Sequence, residues 1–154
     1  MKYLQASILL FKAINKGNIM YIQNNIRILV IDDEKLISIS LKHALEKMGR
    51  YVVDSVFNGG DAIKRLEGNH YDVIITDLNL PDYKEFELVK AMRKLATETP
   101  LIVMSACYPD SSLHDMRFQN VFKCFHKPFE IQDVLSGIEE ALASRNTDKL
   151  PAGL

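Results

Sequence analysis

Arg27-Ile28-Leu29-Val30-Ile31-Asp32-Asp33 is the stretch on which the fold turns. A mostly β-branched apolar run stops abruptly at two carboxylates, as a strand buried on both faces does where its carboxyl end meets solvent. Downstream, Ile37, Leu41, Ala44, Leu45 and Met48 recur at helical spacing, and Gly49 supplies the stop. Tyr51–Val56 reads as a second strand, Asn58-Gly59-Gly60 as a turn, and Ala62–Glu67 as a short helix closed by Gly68. Val73–Thr76 is a third strand ending at Asp77, and Leu88, Val89, Met92 and Leu95 mark a helix over Phe86–Leu95. Leu101–Met104 is a fourth strand ending at Ser105, Asp110–Arg117 a weak helix, and Val121–Phe125 a fifth strand. Ile131, Val134, Leu135, Ile138, Ala141 and Leu142 define the last helix.

Five strands alternating with five helices predict an α/β fold, a doubly wound parallel sheet covered on both faces. Residues 26–145 form this domain, with residues 1–25 as an extension outside the core and the polar residues 146–154 as a tail. A short amphipathic docking helix through Leu4, Ile8, Phe11 and Ile14 is the alternative for the extension. Its apolar run Ser7–Phe11 falls far short of the roughly 18–20 residues that span a bilayer. It also lacks a small-x-small cleavage site, so neither a membrane span nor export is expected.

The 154 residues are 47% hydrophobic and 25% charged, which excludes a disordered or fibrous chain. Nineteen basic residues against twenty acidic ones leave a charge of −1, so no global field favours nucleic acid or an anionic membrane. Cys107 and Cys124 are too few for a disulfide scaffold, and a reducing cytoplasm is the natural setting. His43, His70, His114 and His126 have no zinc-binding spacing.

In open parallel sheets ligands gather at the carboxyl ends of the strands. Those ends carry Asp32 and Asp33, Asp77, Ser105 and Lys127. Each alone has a plainer reading: a helix N-cap with a solvated neighbour for the Asp pair, a turn residue for Asp77, a capping hydroxyl for Ser105, a surface lysine for Lys127. Together they are more specific. Three converging carboxylates repel one another and call for raised pKa values, a cation, or both. Hard oxygen ligands suit Mg²⁺ with waters retained for a phosphate. Asp77 then serves as a nucleophile that takes a phosphoryl group as an acyl phosphate, with Lys127 and Ser105 meeting its oxygens.

Ile28-Leu29-Val30-Ile31-Asp32-Asp33-Glu34, Val73-Ile74-Ile75-Thr76-Asp77-Leu78-Asn79-Leu80-Pro81-Asp82, Met104-Ser105-Ala106 and Lys127-Pro128-Phe129 stand in an order that resembles the receiver domain of bacterial two-component response regulators. The resemblance runs from Ile26 to about Ser144. It implies a (βα)₅ flavodoxin-like fold with strand order 2-1-3-4-5. It implies Asp77 as phospho-acceptor, and Mg²⁺ on Asp33, the Asp77 carboxylate and the Asn79 backbone carbonyl, with Asp32 acting through water. Ser105 and Lys127 would contact the phosphoryl group, and Lys127–Pro128 would be a cis peptide. The implied partners are a histidine kinase or histidine phosphotransfer protein and a downstream protein target. Catalysis would be limited to self-phosphorylation and self-dephosphorylation. About ten residues follow the last helix, so direct DNA binding is not expected.

Three departures stand out. Cys124 occupies the position where the family usually has a switching Tyr or Phe, and the nearest aromatic is Phe125. Tyr83-Lys84-Glu85 replaces the common Met-Asp-Gly, so the loop after Pro81 must follow another path. Asn120 replaces a glycine before the fifth strand and is a workable left-handed cap. These changes bear on output coupling rather than on phospho-acceptance. The alternative function is therefore a phosphorylation-independent, receiver-like interaction domain. Leu113, Met116 and Phe118 are candidates for its contact face or for core.

Overall fold

The computed structural model describes residues 14–15, 18–19, 25–84, 86–106 and 120–147. Its main elements alternate along the chain: β1 (Ile26–Ile31), α1 (Lys35–Glu46), β2 (Tyr51–Val56), α2 (Gly59–Gly68), β3 (Val73–Asp77), α3 (Phe86–Leu95), β4 (Leu101–Ser105), β5 (Lys123–His126) and α4 (Ile131–Thr147). The five strands pair in parallel in the order 2-1-3-4-5, with β1 between β2 and β3. Ile28 stands opposite Val73, Ile74 opposite Leu101, and Ile102 opposite Lys123. The expected helix over residues 110–117, with Leu113, Met116 and Phe118, lies outside the described residues.

Side chains alternate between two cores because successive strand residues point to opposite faces. Leu29, Ile31, Ile74, Leu101 and Val103 pack beneath α2 and α3, with Leu66, Leu88, Val89 and Met92. Ile28, Val30, Val73, Ile75, Ile102 and Met104 pack beneath α1 and α4, with Leu41, Leu45, Val134, Ile138 and Ala141. The unbroken apolar runs of β1, β3 and β4 follow from this two-sided burial. At the opposite end of the sheet, Arg93 of α3 donates to the carbonyls of Thr99 (2.6 Å) and Asn120 (2.6 Å) and so clips the chain on either side of β4.

Several boundaries differ from the sequence reading. Gly59 and Gly60 form the first turn of α2 rather than a separate turn, because the Asn58 side chain accepts the Asp61 N–H at 2.8 Å and caps the helix there. Helix α1 ends at Glu46, so Met48 is 51% exposed rather than part of the apolar face. Gly49, at φ +73°, does make the left-handed exit. Leu95, the last residue of α3, is likewise exposed. β5 begins two residues later than expected, at Lys123, and α4 continues to Thr147. Asn120 takes a φ of 53°, and the Lys127–Pro128 peptide is cis.

Ile14–Asn15 pairs antiparallel with Asn18–Ile19 in a two-stranded sheet separate from the main one. Ile14 therefore sits on a strand, not on a docking helix; Leu4, Ile8 and Phe11 lie outside the described residues. Among the described residues no helix is long and apolar enough to cross a membrane.

Candidate functional site

The ends of β1, β3, β4 and β5 bring polar groups to one edge of the sheet. Asp32 follows β1 and is fully buried, Asp33 beside it is exposed, and Asp77 closes β3 with 5% exposure. One carboxylate oxygen from each lies within 4.8 Å of the others. Ser105 closes β4 with its side chain buried, and its carbonyl accepts the Lys127 N–H at 2.8 Å. That bond carries the backbone just beyond β5 back toward the pocket, and the Lys127 side chain enters it.

Lys127 Nζ donates to Asp77 Oδ2 at 2.5 Å, to Asp32 Oδ2 at 2.9 Å and to Glu34 Oε1 at 2.9 Å. The remaining oxygens are also engaged. Asp32 Oδ1 accepts the Glu34 N–H at 2.9 Å, and Asp77 Oδ1 accepts the Asn79 N–H at 2.8 Å. The second bond bends the chain sharply after β3 and brings the Asn79 backbone beside Asp77. The plainer reading of Asp32-Asp33 as the cap of α1 does not hold, since the N-cap residue is Glu34.

Burial pushes the Asp32 carboxyl above the usual aspartate range, against the hydrogen bonds from Lys127 and from the Glu34 N–H. For Lys127 burial acts in the opposite direction, but the hydrogen bonds to Asp77, Glu34 and Asp32 outweigh it and hold the ammonium charged. Several carboxylates share a single ammonium, so the pocket keeps excess negative charge in a poorly solvated place. Asp32, Asp33 and Asp77 present hard oxygen donors with an open exposed side at Asp33, a donor set that fits Mg²⁺.

Of the residues expected at the site, Asp32, Asp33 and Asp77 cluster, Lys127 donates to Asp32 and Asp77, the Asn79 N–H bonds to Asp77, and Ser105 is joined to Lys127 through its backbone carbonyl. Glu34 also belongs to the pocket through its bond from Lys127, a role the sequence pattern does not assign to it. The signal was its place beside Asp32-Asp33, but sequence does not say which way an N-cap side chain turns. Cys124 is half-buried and packs against the core beneath α2 and α3, and burial pushes its thiol up to about 11. Phe125 faces the opposite core, beneath α1 and α4. Its ring lies where a Cβ on Gly137 would meet it at 2.7 Å, so it is seated against α4 by the absence of a side chain there. The two residues are on different faces of the sheet, and Phe125 does not occupy the space beside Cys124.

The family model of the response regulator receiver domain matches residues 28–139. The DNA-binding transcriptional regulator NtrC of Azospirillum brasilense is 30% identical over 82% of this chain and 26% of its own length. The transcriptional regulatory protein DltR of Streptococcus agalactiae is 30% identical over 73% of this chain and 50% of its own. The chain thus spans half or less of the length of these relatives. Among solved structures, a CheY-like receiver domain from Methanospirillum hungatei superposes with a TM-score of 0.77 at 25% identity, covering 80% of this chain and 98% of that one. The chemotaxis protein CheY4 of Vibrio cholerae gives 0.71 at 26% identity, covering 77% and 99%. With the sheet order, the acidic pocket and a family match across residues 28–139, this chain belongs to the receiver domains of two-component response regulators.

Proposed function

We propose that this receiver works as a phosphorylation-switched module in which Asp77 takes a phosphoryl group from a histidine kinase or histidine phosphotransfer protein. The observation that supports this reading is the Lys127 ammonium at 2.5 Å from Asp77 Oδ2 inside a cluster of three aspartates. An Asp77 oxygen attacks phosphorus, the bond from phosphorus to the donor's imidazole nitrogen breaks, and that nitrogen keeps the electron pair and takes up a proton. Lys127 moves from Asp77 to an oxygen of the bound phosphoryl group, and the Ser105 hydroxyl donates to another. Asp33, Asp77 and the Asn79 carbonyl would hold Mg²⁺, with Asp32 acting through water. The cation supplies neutralisation of the charge that the phosphate brings to an already anionic pocket.

Output then runs through protein–protein contacts with a downstream target in the cytoplasm. The Cys124 side chain favours the alternative of a phosphorylation-independent interaction domain, because a thiol sweeps far less volume than an aromatic ring. Partner binding that is the same with and without phosphodonor selects that alternative.

The deciding experiment is incubation with acetyl phosphate and Mg²⁺, read by intact mass. One phosphoryl adduct, labile to hydroxylamine and lost on chelation, is the expected result. An unchanged mass, together with no amide shift change on adding beryllofluoride, overturns the proposal.

A further inference from the structure

The segment between β3 and α3 is fastened at two points, Asp82 and Tyr83. Asp82 places one carboxylate oxygen on each of two successive helix-terminal amides: Oδ1 accepts from Gly59 N at 2.9 Å and Oδ2 from Gly60 N at 2.8 Å. Two bonds to two amides fix orientation as well as distance, and the positive end of α2 adds to the attraction. The second point is the adjacent Tyr83. A Cβ on residue 59 would lie 2.3 Å from Tyr83 Cδ2, so the ring sits in space that only glycine leaves open. Residue 59 is thus glycine for close approach to the Tyr83 ring.

These fastenings act on a short tether. Only Leu78, Asn79, Leu80 and Pro81 separate Asp77 from Asp82. Leu78 and Leu80 are buried in the core beneath α2 and α3, the ring of Pro81 fixes its φ, and Asn79 is held by Asp77 Oδ1. Asn79 therefore has little slack, and the loop forms one wall of an open cavity lined also by Asp33.

We infer that Asp82, together with Tyr83, is a latch that sets the position of the Asn79 backbone beside Asp33 and Asp77, and is thus a positioning residue for divalent-cation binding in this pocket. The inference rests on the reading that Asp33, Asp77 and the Asn79 carbonyl hold Mg²⁺. Asp82 does not touch the cation. It acts through the loop, so that loosening it lets the Asn79 carbonyl move while the carboxylates stay in place.

The test is a Mg²⁺ titration of the full chain, followed by calorimetry and by the amide shifts of Asp33, Leu78 and Asn79. Asp82→Ala removes both bonds and should weaken Mg²⁺ on the order of tenfold, the scale seen when a group supporting a metal ligand is lost. Asp82→Asn keeps one acceptor oxygen and should lie between Asp82→Ala and wild type, which also keeps the test alive if the alanine variant does not fold. Arg93→Ala unclips the far end of α3 and serves as the control: its melting temperature should fall while its Mg²⁺ affinity holds. Wild-type affinity in both Asp82 variants overturns the latch, as does an equal loss in Arg93→Ala, which would mark a general loss of stability. Absence of Mg²⁺ binding in wild type overturns the cation reading itself, and the latch with it.

Discussion

Asp77→Asn should remove Mg²⁺-dependent phosphorylation entirely while leaving the fold in place. Asp77 ends the buried strand β3, where Oδ1 accepts the Asn79 N–H and Oδ2 accepts from Lys127. Asparagine has the same shape, and its oxygen can keep the Asn79 bond that turns the chain. Its amide nitrogen would face the Lys127 ammonium donor to donor, so that contact is lost, but Lys127 retains Asp32 and Glu34. The stability change should therefore stay within the ~1.5–3 kcal/mol typical of a hydrogen bond to a charged group, offset in part because the variant removes one negative charge from an anionic pocket. The chemical change is much larger. A carboxamide is a poor nucleophile toward phosphorus and leaves no acyl phosphate. Intact mass after exposure to acetyl phosphate should show the adduct in wild type and none in the variant. A variant labelled as strongly as wild type, at a hydroxylamine-labile bond, would move the acceptor to another residue.

The parts of this molecule that were legible in sequence share a physical cause. β1, β3 and β4 are buried on both faces, so their apolar runs are unbroken and end sharply where the chain reaches solvent. That sharp ending is also what placed Asp32, Asp33, Asp77 and Ser105 at one edge. β5, at the edge of the sheet and only partly buried, carries a weaker pattern, and its start was misplaced by two residues. The beginning of α2 was hidden for a different reason. Two glycines oppose a helix on propensity alone, and here the Asn58 cap and the Asp82 carboxylate, which comes from more than twenty residues away, override them. No local pattern reports a contact of that range. The same limit applies to Glu34, whose reach to Lys127 spans the distance between the first and last strands in sequence.

Lys127→Ala should produce the second large effect, and it should depend on both pH and Mg²⁺. The side chain of Lys127 is only 10% exposed, and its partners Asp32 and Asp77 are 0% and 5% exposed. Breaking a buried pair by deleting one member leaves the other charge uncompensated and costs about 3–5 kcal/mol. Here two buried carboxylates are left facing each other, with Asp33 and Glu34 close by. The sign with pH follows from Asp32, whose folded pKa already lies above its unfolded value of 3.8. Ionising such a group costs stability above the unfolded pKa, and removing the ammonium raises the folded pKa further. The deficit of Lys127→Ala should therefore be largest at neutral pH and shrink as the solution is acidified through that raised pKa. Mg²⁺ supplies the missing positive charge, and at a hundredfold excess over its dissociation constant it returns ~2.7 kcal/mol. Denaturant unfolding of wild type and variant at neutral and mildly acidic pH, with chelator or with Mg²⁺, separates these contributions. Phosphorylation should survive in part, since Asp77 and the acidic ligands remain, but beryllofluoride should move fewer amides around β5 than in wild type. A variant as stable as wild type in chelator at neutral pH, and indifferent to Mg²⁺, would show that Lys127 does not neutralise the pocket.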